Sequence, residues 1–175
     1  MSSATYTVDL QVDEAFTALV DAAELTQVAE LTLATAGHPH GELSIVIGSD
    51  ELVQELNQSY RGVDAPTDVL SFAAQEQTPG GPTLQPLPAE LAAALNSYLG
   101  DIVIAYPYAE RQAAHYQNSV AAELRLLTVH GVLHLLGYDH DTPKAEAAMW
   151  AQQNRVLATF GDNSLSQRVY AEDHL

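Results

Sequence analysis

Three of the seven histidines fall within eleven residues, His130-Gly131-Val132-Leu133-His134-Leu135-Leu136-Gly137-Tyr138-Asp139-His140, at spacings of four and six. If the run from about Ala121 is helical, His130 and His134 stand one turn apart on one face, about 6 Å apart along the axis. Two imidazoles so placed can grip one ion. Gly137 is suited to end that helix through a left-handed residue, which lets the chain double back and bring His140 to the same point. Three neutral nitrogen donors with a fourth position left for water describe a catalytic zinc-type site rather than a closed structural one. The competing reading is an amphipathic helix with polar residues near its C-cap. Leu133, Leu135 and Leu136 make the helix apolar, however, and burying two unpaired histidines in it costs roughly 1–3 kcal/mol each. The joint pattern therefore favours a metal.

The spacing also matches the ligand and turn-glycine positions of metalloproteases, H-E-x-x-H-x-x-G-x-x-H. Those enzymes place a general-base glutamate directly after the first histidine, and here that residue is Gly131. Peptide hydrolysis thus lacks the group that carries the proton to the leaving amine. Phosphodiester cleavage makes a different demand: negative charge gathers on phosphoryl oxygens, where a metal ion and a bidentate guanidinium are the useful groups. Arg61 is the candidate guanidinium, placed at a junction between elements. Its alternative is a helix-end cation paired with a nearby acid. Asp139 is placed to accept a proton, to orient a ligand or to cap the turn. His38 and His40 read as a solvated pair in a turn, and His174 as incidental to the tail.

The elements that must position these residues predict an α+β fold. A single domain is expected, with a roughly four-stranded mixed sheet, about five helices and the metal site at the end of one helix. Strands are expected at Tyr6 to Val12, Glu42 to Gly48, from Pro66 to Phe72, and Leu99 to Ala105. One long helix or two short ones fit Asp13 to Gly37. Others run from an N-cap at Ser49 to Arg61-Gly62, over Tyr106 to Gln117, from Asn118-Ser119 through His134, and from Asp141-Thr142-Pro143 through Phe160. Residues 1–161 are expected to form the single metallohydrolase domain. Within it, 74–98 is a proline-rich surface excursion to which no chemistry is assigned, and 162–175 is a polar tail.

Composition narrows the partners. Cysteine is absent, which excludes thiolate ligands, iron–sulfur clusters and cysteine nucleophiles. No signal segment and no apolar run of membrane-span length is evident, so a cytoplasmic location and no membrane partner are expected. Six Lys plus Arg face 23 Asp plus Glu, a net charge of −17. Such a field repels polyanions and argues against a generic nucleic-acid binder, so no DNA partner is expected. A saline setting, where salt screens the repulsion, is one reading of the acidity. Arg61, Arg111 and Arg125 are the candidates for a local positive path.

At these residues the sequence resembles the bacterial YbeY endoribonucleases, also called rRNA maturation factors. Their signature H-G-x-L-H-L-x-G-Y-D-H is matched throughout by His130 to His140. The resemblance extends to Tyr60-Arg61-Gly62, to Pro66-Thr67-Asp68-Val69-Leu70-Ser71-Phe72 and to Leu99-Gly100-Asp101-Ile102, in the family's order. The excursion after Phe72 is longer than the family suggests, Ala73 replaces a common proline, and Gln153-Asn154 stands where Gln-Glu is usual. The resemblance implies that His130, His134 and His140 bind one zinc ion, with nickel or another divalent transition metal as alternatives. It implies that Arg61 is the functional, substrate-binding arginine beside it, and His134 with Arg61 forms the catalytic set. The activity implied is single-strand-specific endoribonuclease cleavage in rRNA maturation, at the 3′ end of the small-subunit RNA, and in ribosome quality control. Single-stranded RNA and the small ribosomal subunit are the implied partners. In that scheme either water or the RNA's own 2′-OH is the attacking group. The alternatives are another metallohydrolase, such as a zincin-like peptidase, and a non-catalytic metal-binding ribosome-assembly factor.

Overall fold

The computed structural model describes residues 3–74, 88 and 97–162. Strands β1 (Thr5–Val12), β2 (His40–Gly48), β3 (Val69–Ala73) and β4 (Tyr98–Ala105) form one sheet in the order β1-β2-β4-β3. The first three in that order run parallel, and β3 lies antiparallel to β4 at the edge. The sheet is therefore mixed, as expected. Among the described residues the helices are a 3-10 segment, Glu14–Leu19, then α1 (Ala22–Thr35), α2 (Asp50–Arg61), α3 (Tyr106–His115), α4 (Val120–Leu135) and α5 (Pro143–Ala158).

Period-2 burial fixes the sheet. Leu43, Ile45 and Ile47 of β2 point into the main core, while their neighbours face the other side. The interior strand β4 is apolar on both faces: Ile102 and Ile104 join the main core, and Val103 and Ala105 join a smaller one with Val53 of α2 and Leu70 of β3. That double burial is why it reads as a continuous apolar run.

Short acids and hydroxyls start the helices. Side-chain oxygens of Asp21, Ser49, Ser119 and Thr142 each accept from the backbone amide three residues on, stabilising α1, α2, α4 and α5 by about 1 kcal/mol apiece. Asp21 also explains why the stretch from Asp13 to Gly37 is two helices and not one. The chain is extended at Val20 and restarts at this cap, leaving Leu19 exposed at the end of the 3-10 segment.

Several boundaries differ from the sequence reading, and β2 already begins at His40, within the expected turn. β3 begins at Val69 instead of Pro66, and side chains bond the backbone on either side of the intervening residues. The Asn57 amide donates to the Ala65 carbonyl, and Asp68 Oδ1 accepts from the Val69 amide. Helix α3 stops at His115 because Gln117 adopts a left-handed φ of 59°, short of the expected end. Asp162, assigned to the tail, is almost fully buried and held by Arg125, so the packed region reaches one residue beyond 161. The helical turn expected near Ala89 to Leu95 and the tail from 163 lie outside the described residues.

Helix α4 is the centre of the molecule. It is buried on nearly every side, between the sheet and helices α1, α3 and α5, as befits a helix that is apolar all round.

Candidate metal centre

The last two turns of α4 carry His130 and His134. His130 is fully buried and His134 half-buried. Helix α4 then ends as its sequence predicts: Gly137 takes a φ of 96°, its amide reaches the His134 carbonyl, and the Tyr138 amide reaches that of Leu133. This left-handed exit redirects the chain so that His140, on the following loop, returns to the other two. Asp139 Oδ1 accepts from the His140 amide at 2.8 Å. This contact ties its carboxylate to the backbone of the third histidine.

One ring nitrogen from each of His130, His134 and His140 lies within 4.8 Å of the others. The Nε2 atoms of His130 and His134 are 2.8 Å apart. These separations bracket the roughly 3.3 Å between neighbouring nitrogens of a tetrahedral ion with bonds of about 2.0–2.1 Å. The protonation pattern fits as well. Gln153 Oε1, fully buried on α5, lies 3.1 Å from His130 Nδ1 and accepts its proton. That contact fixes the tautomer and leaves the Nε2 lone pair facing His134, the outer-shell arrangement that orients metal-binding imidazoles. Among the described residues the donor set is all nitrogen, which suits a borderline transition metal over magnesium or calcium.

Gly131 acquires a steric explanation. It faces the sheet, and a Cβ there would lie 2.9 Å from Ile102 Cγ2 and 3.1 Å from its Cδ1. A glutamate after the first histidine has no room in this packing. Gly100 serves the same close approach from the strand side. Its φ of 139° is open to glycine, and a Cβ there would strike the Phe72 carbonyl and Leu135.

Arg61 is the last residue of α2, exposed beside Gly62, whose φ of 71° ends the helix. Its guanidinium lies 3.5 Å from the Ser71 carbonyl on β3, and the Ser71 hydroxyl lies 3.5 Å from the carbonyl of Gly131. Both distances are at the outer limit of hydrogen bonding. They place Arg61 across the edge strand from the histidine-bearing helix.

The other two arginines of the expected positive path are engaged elsewhere. Arg111 pairs with Asp50 at 2.7 Å, at the opposite end of α2 from Arg61. Arg125 is clamped by Asp162 at 2.6 and 3.1 Å and by Glu24 at 2.8 Å. The Asp162 hydrogen bonds, joined by the one to Glu24, hold its guanidinium pKa above the usual range despite burial. Neither of these two lies beside the histidines through the contacts described, whereas Arg61 reaches β3 next to them. His40 opens β2 on the surface, and the His38 carbonyl accepts from Tyr6, so neither joins the cluster; His174 lies outside the described residues.

Sequence reasoning missed Gln153 as a partner of His130. Its signal was present: with Met149, Val156 and Leu157 it completes the buried stripe of α5 at three-and-four spacing, where an amide is anomalous.

The comparisons agree with this architecture. The family model described as Endoribonuclease YbeY matches residues 4–161. A Roseiflexus relative named Endoribonuclease YbeY is 45% identical, covering 92% of this chain and 97% of its own. One from Chloroflexus aggregans, of the same name, is 45% identical over 90% of this chain and 97% of its own. One from Moorella thermoacetica is 50% identical over 69% of this chain and 73% of its own. A solution structure of a Thermotoga maritima protein shares the fold at a TM-score of 0.57, covering 93% of this chain and 97% of its own at 24% identity. With the matched region spanning strands, helices and the three converging histidines alike, the chain belongs to the endoribonuclease YbeY family.

Proposed function

We propose that the chain is a metal-dependent, single-strand-specific endoribonuclease that matures ribosomal RNA at the 3′ end of the small-subunit RNA and acts in ribosome quality control. The observation that carries the reading is the convergence of three imidazole nitrogens within 4.8 Å in a chain of this family. Zinc is the ion we assign, since a three-nitrogen site with an open position is its usual catalytic setting; nickel accepts the same donors. When bound, such an ion supplies Lewis acidity at a phosphoryl oxygen and eases deprotonation of an attacking water.

The chain's own residues do the rest. Gln153 holds the proton on His130 Nδ1, so that Nε2 carries the lone pair. His134 and His140 complete the donor set from the helix end and the loop. The guanidinium of Arg61 steadies the phosphoryl oxygens as charge accumulates on them. Gly131 disfavours the peptidase alternative, because its position is filled by packing against Ile102 where that chemistry needs a base. Acidity favours recognition within a ribosomal assembly over tight capture of free RNA. We assign the protein to the cytoplasm; among the described residues no helix is long and apolar enough to cross a membrane.

The test is cleavage of a single-stranded RNA by the wild type, His134→Ala and Arg61→Ala. Activity in the wild type, abolished in His134→Ala and reduced about 100-fold in Arg61→Ala, is the expected result. Equal cleavage by all three would mark a contaminating nuclease and sink the site. Metal in the wild type without cleavage would favour a non-catalytic assembly factor.

A further inference from the structure

The residue before Arg61 is the most exposed large hydrophobic side chain among those described: Tyr60, at 72%. Its ring sits 5.2 Å from that of Phe72 at 58°, within the range of favourable aromatic pairs. Phe72 is half-buried on β3, anchored on the smaller core with Leu70 and Val103. A tyrosine that served only to shield Phe72 would bury its own ring; this one meets Phe72 and still presents most of its surface to solvent.

The position of the pair matters. Ser71, adjacent to Phe72, contacts Arg61 through its carbonyl and Gly131, between His130 and His134, through its hydroxyl. The aromatic pair, the guanidinium and the histidine helix thus meet around β3, the edge strand of the sheet among the described residues. A nucleic-acid strand can cross such an edge from one face to the other. On a chain with a net charge of −17, stacking is also a means of holding RNA that needs no lysine.

We propose that Tyr60, backed by Phe72, is a stacking platform for one unpaired base next to the phosphate that Arg61 engages. This rests on the endoribonuclease reading and deepens it. Only an unpaired base can lay its face on an exposed ring, so the platform is a source of single-strand selectivity without sequence preference. Tyr60 is here a positioning residue for substrate, with no part in proton transfer.

The experiment uses metal-loaded protein and a short single-stranded RNA carrying 2-aminopurine at successive positions, mixed by stopped flow so that quenching is read before cleavage. Wild type is compared with Tyr60→Phe and Tyr60→Leu, and each is then given the same RNA with an abasic site at the quenched position. Quenching at a defined position is expected in the wild type and in Tyr60→Phe, with affinities within about 2-fold. Tyr60→Leu is expected to lose that quenching and to bind about 10-fold more weakly. The abasic RNA should cost the wild type a similar factor and Tyr60→Leu nothing further. Binding by Tyr60→Leu equal to wild type, an equal abasic penalty in both, or the absence of any quenched position overturns the platform. Cleavage of the unlabelled RNA is scored separately: its failure in the wild type counts against the endoribonuclease reading, while the stacking result stands on binding alone.

Discussion

Along one face of its first half, α4 sends Arg125 between Glu24 of α1 and Asp162 beyond α5, where three charge-assisted hydrogen bonds satisfy the guanidinium from within the chain. Further along the same helix, His130 and His134 bring their Nε2 atoms to 2.8 Å of each other, and His140 comes in from the loop. Both regions bury polar groups in an otherwise apolar helix. One is closed by carboxylates drawn from a sequence rich in them. The other gathers three nitrogen donors and, among the described residues, no carboxylate. The contrast separates a structural polar site, complete in itself, from one whose donors converge as an ion requires.

Breaking the closed site should have the largest effect on folding. Arg125→Ala strands Asp162 and Glu24 in a mostly buried setting and is expected to cost about 3 kcal/mol, read as a lower urea midpoint. Metal content per folded chain should not change. A midpoint within error of wild type would show that the clamp is dispensable. Next comes the packing that holds the open site against the sheet. Gly131→Ala pushes a methyl to 2.9 Å from Ile102, and overpacking of this kind costs about 2 kcal/mol. Thermal melting measures it, and an unchanged midpoint would mean that α4 can shift freely.

The open site is then sharpened from its outer contact. Gln153→Ala removes the acceptor that fixes the His130 tautomer, and metal affinity should fall about 10-fold or more by competition with a chelator. An unchanged affinity would reduce Gln153 to a packing residue. Smallest of all for the fold is Arg61→Ala. Arg61 is an exposed residue at the C-terminal end of α2, and its loss should leave stability within about 0.5 kcal/mol of wild type. A larger loss would make it a structural cation like Arg125.

What could be read in the sequence follows the same division. The three ligands were legible because a helix imposes spacing: four residues make one turn, and Gly137 marks the reversal that returns His140. The strands were legible from alternation, as in Leu43, Ile45 and Ile47. Contacts between distant segments carry no such local mark. Nothing near Arg125 announces Glu24 or Asp162, which lie 101 and 37 residues away in sequence, so it was grouped with Arg61 as a cation for RNA. Pro66 reads as a strand start because it lacks a donor and is tolerated at a strand's first residue; the contacts of Asn57 with the Ala65 carbonyl and of Asp68 with the Val69 amide leave no such mark in the sequence. Gly131 was legible as the lack of a base, while its steric cause required the register of α4 on β4.

The most direct test of the metal centre is elemental analysis of purified wild-type protein and His134→Ala, with circular dichroism to establish that both are folded. One divalent transition-metal ion per chain in the wild type, and close to none in a folded His134→Ala, is the predicted result. A metal-free wild type, or equal metal content in the two, would contradict it.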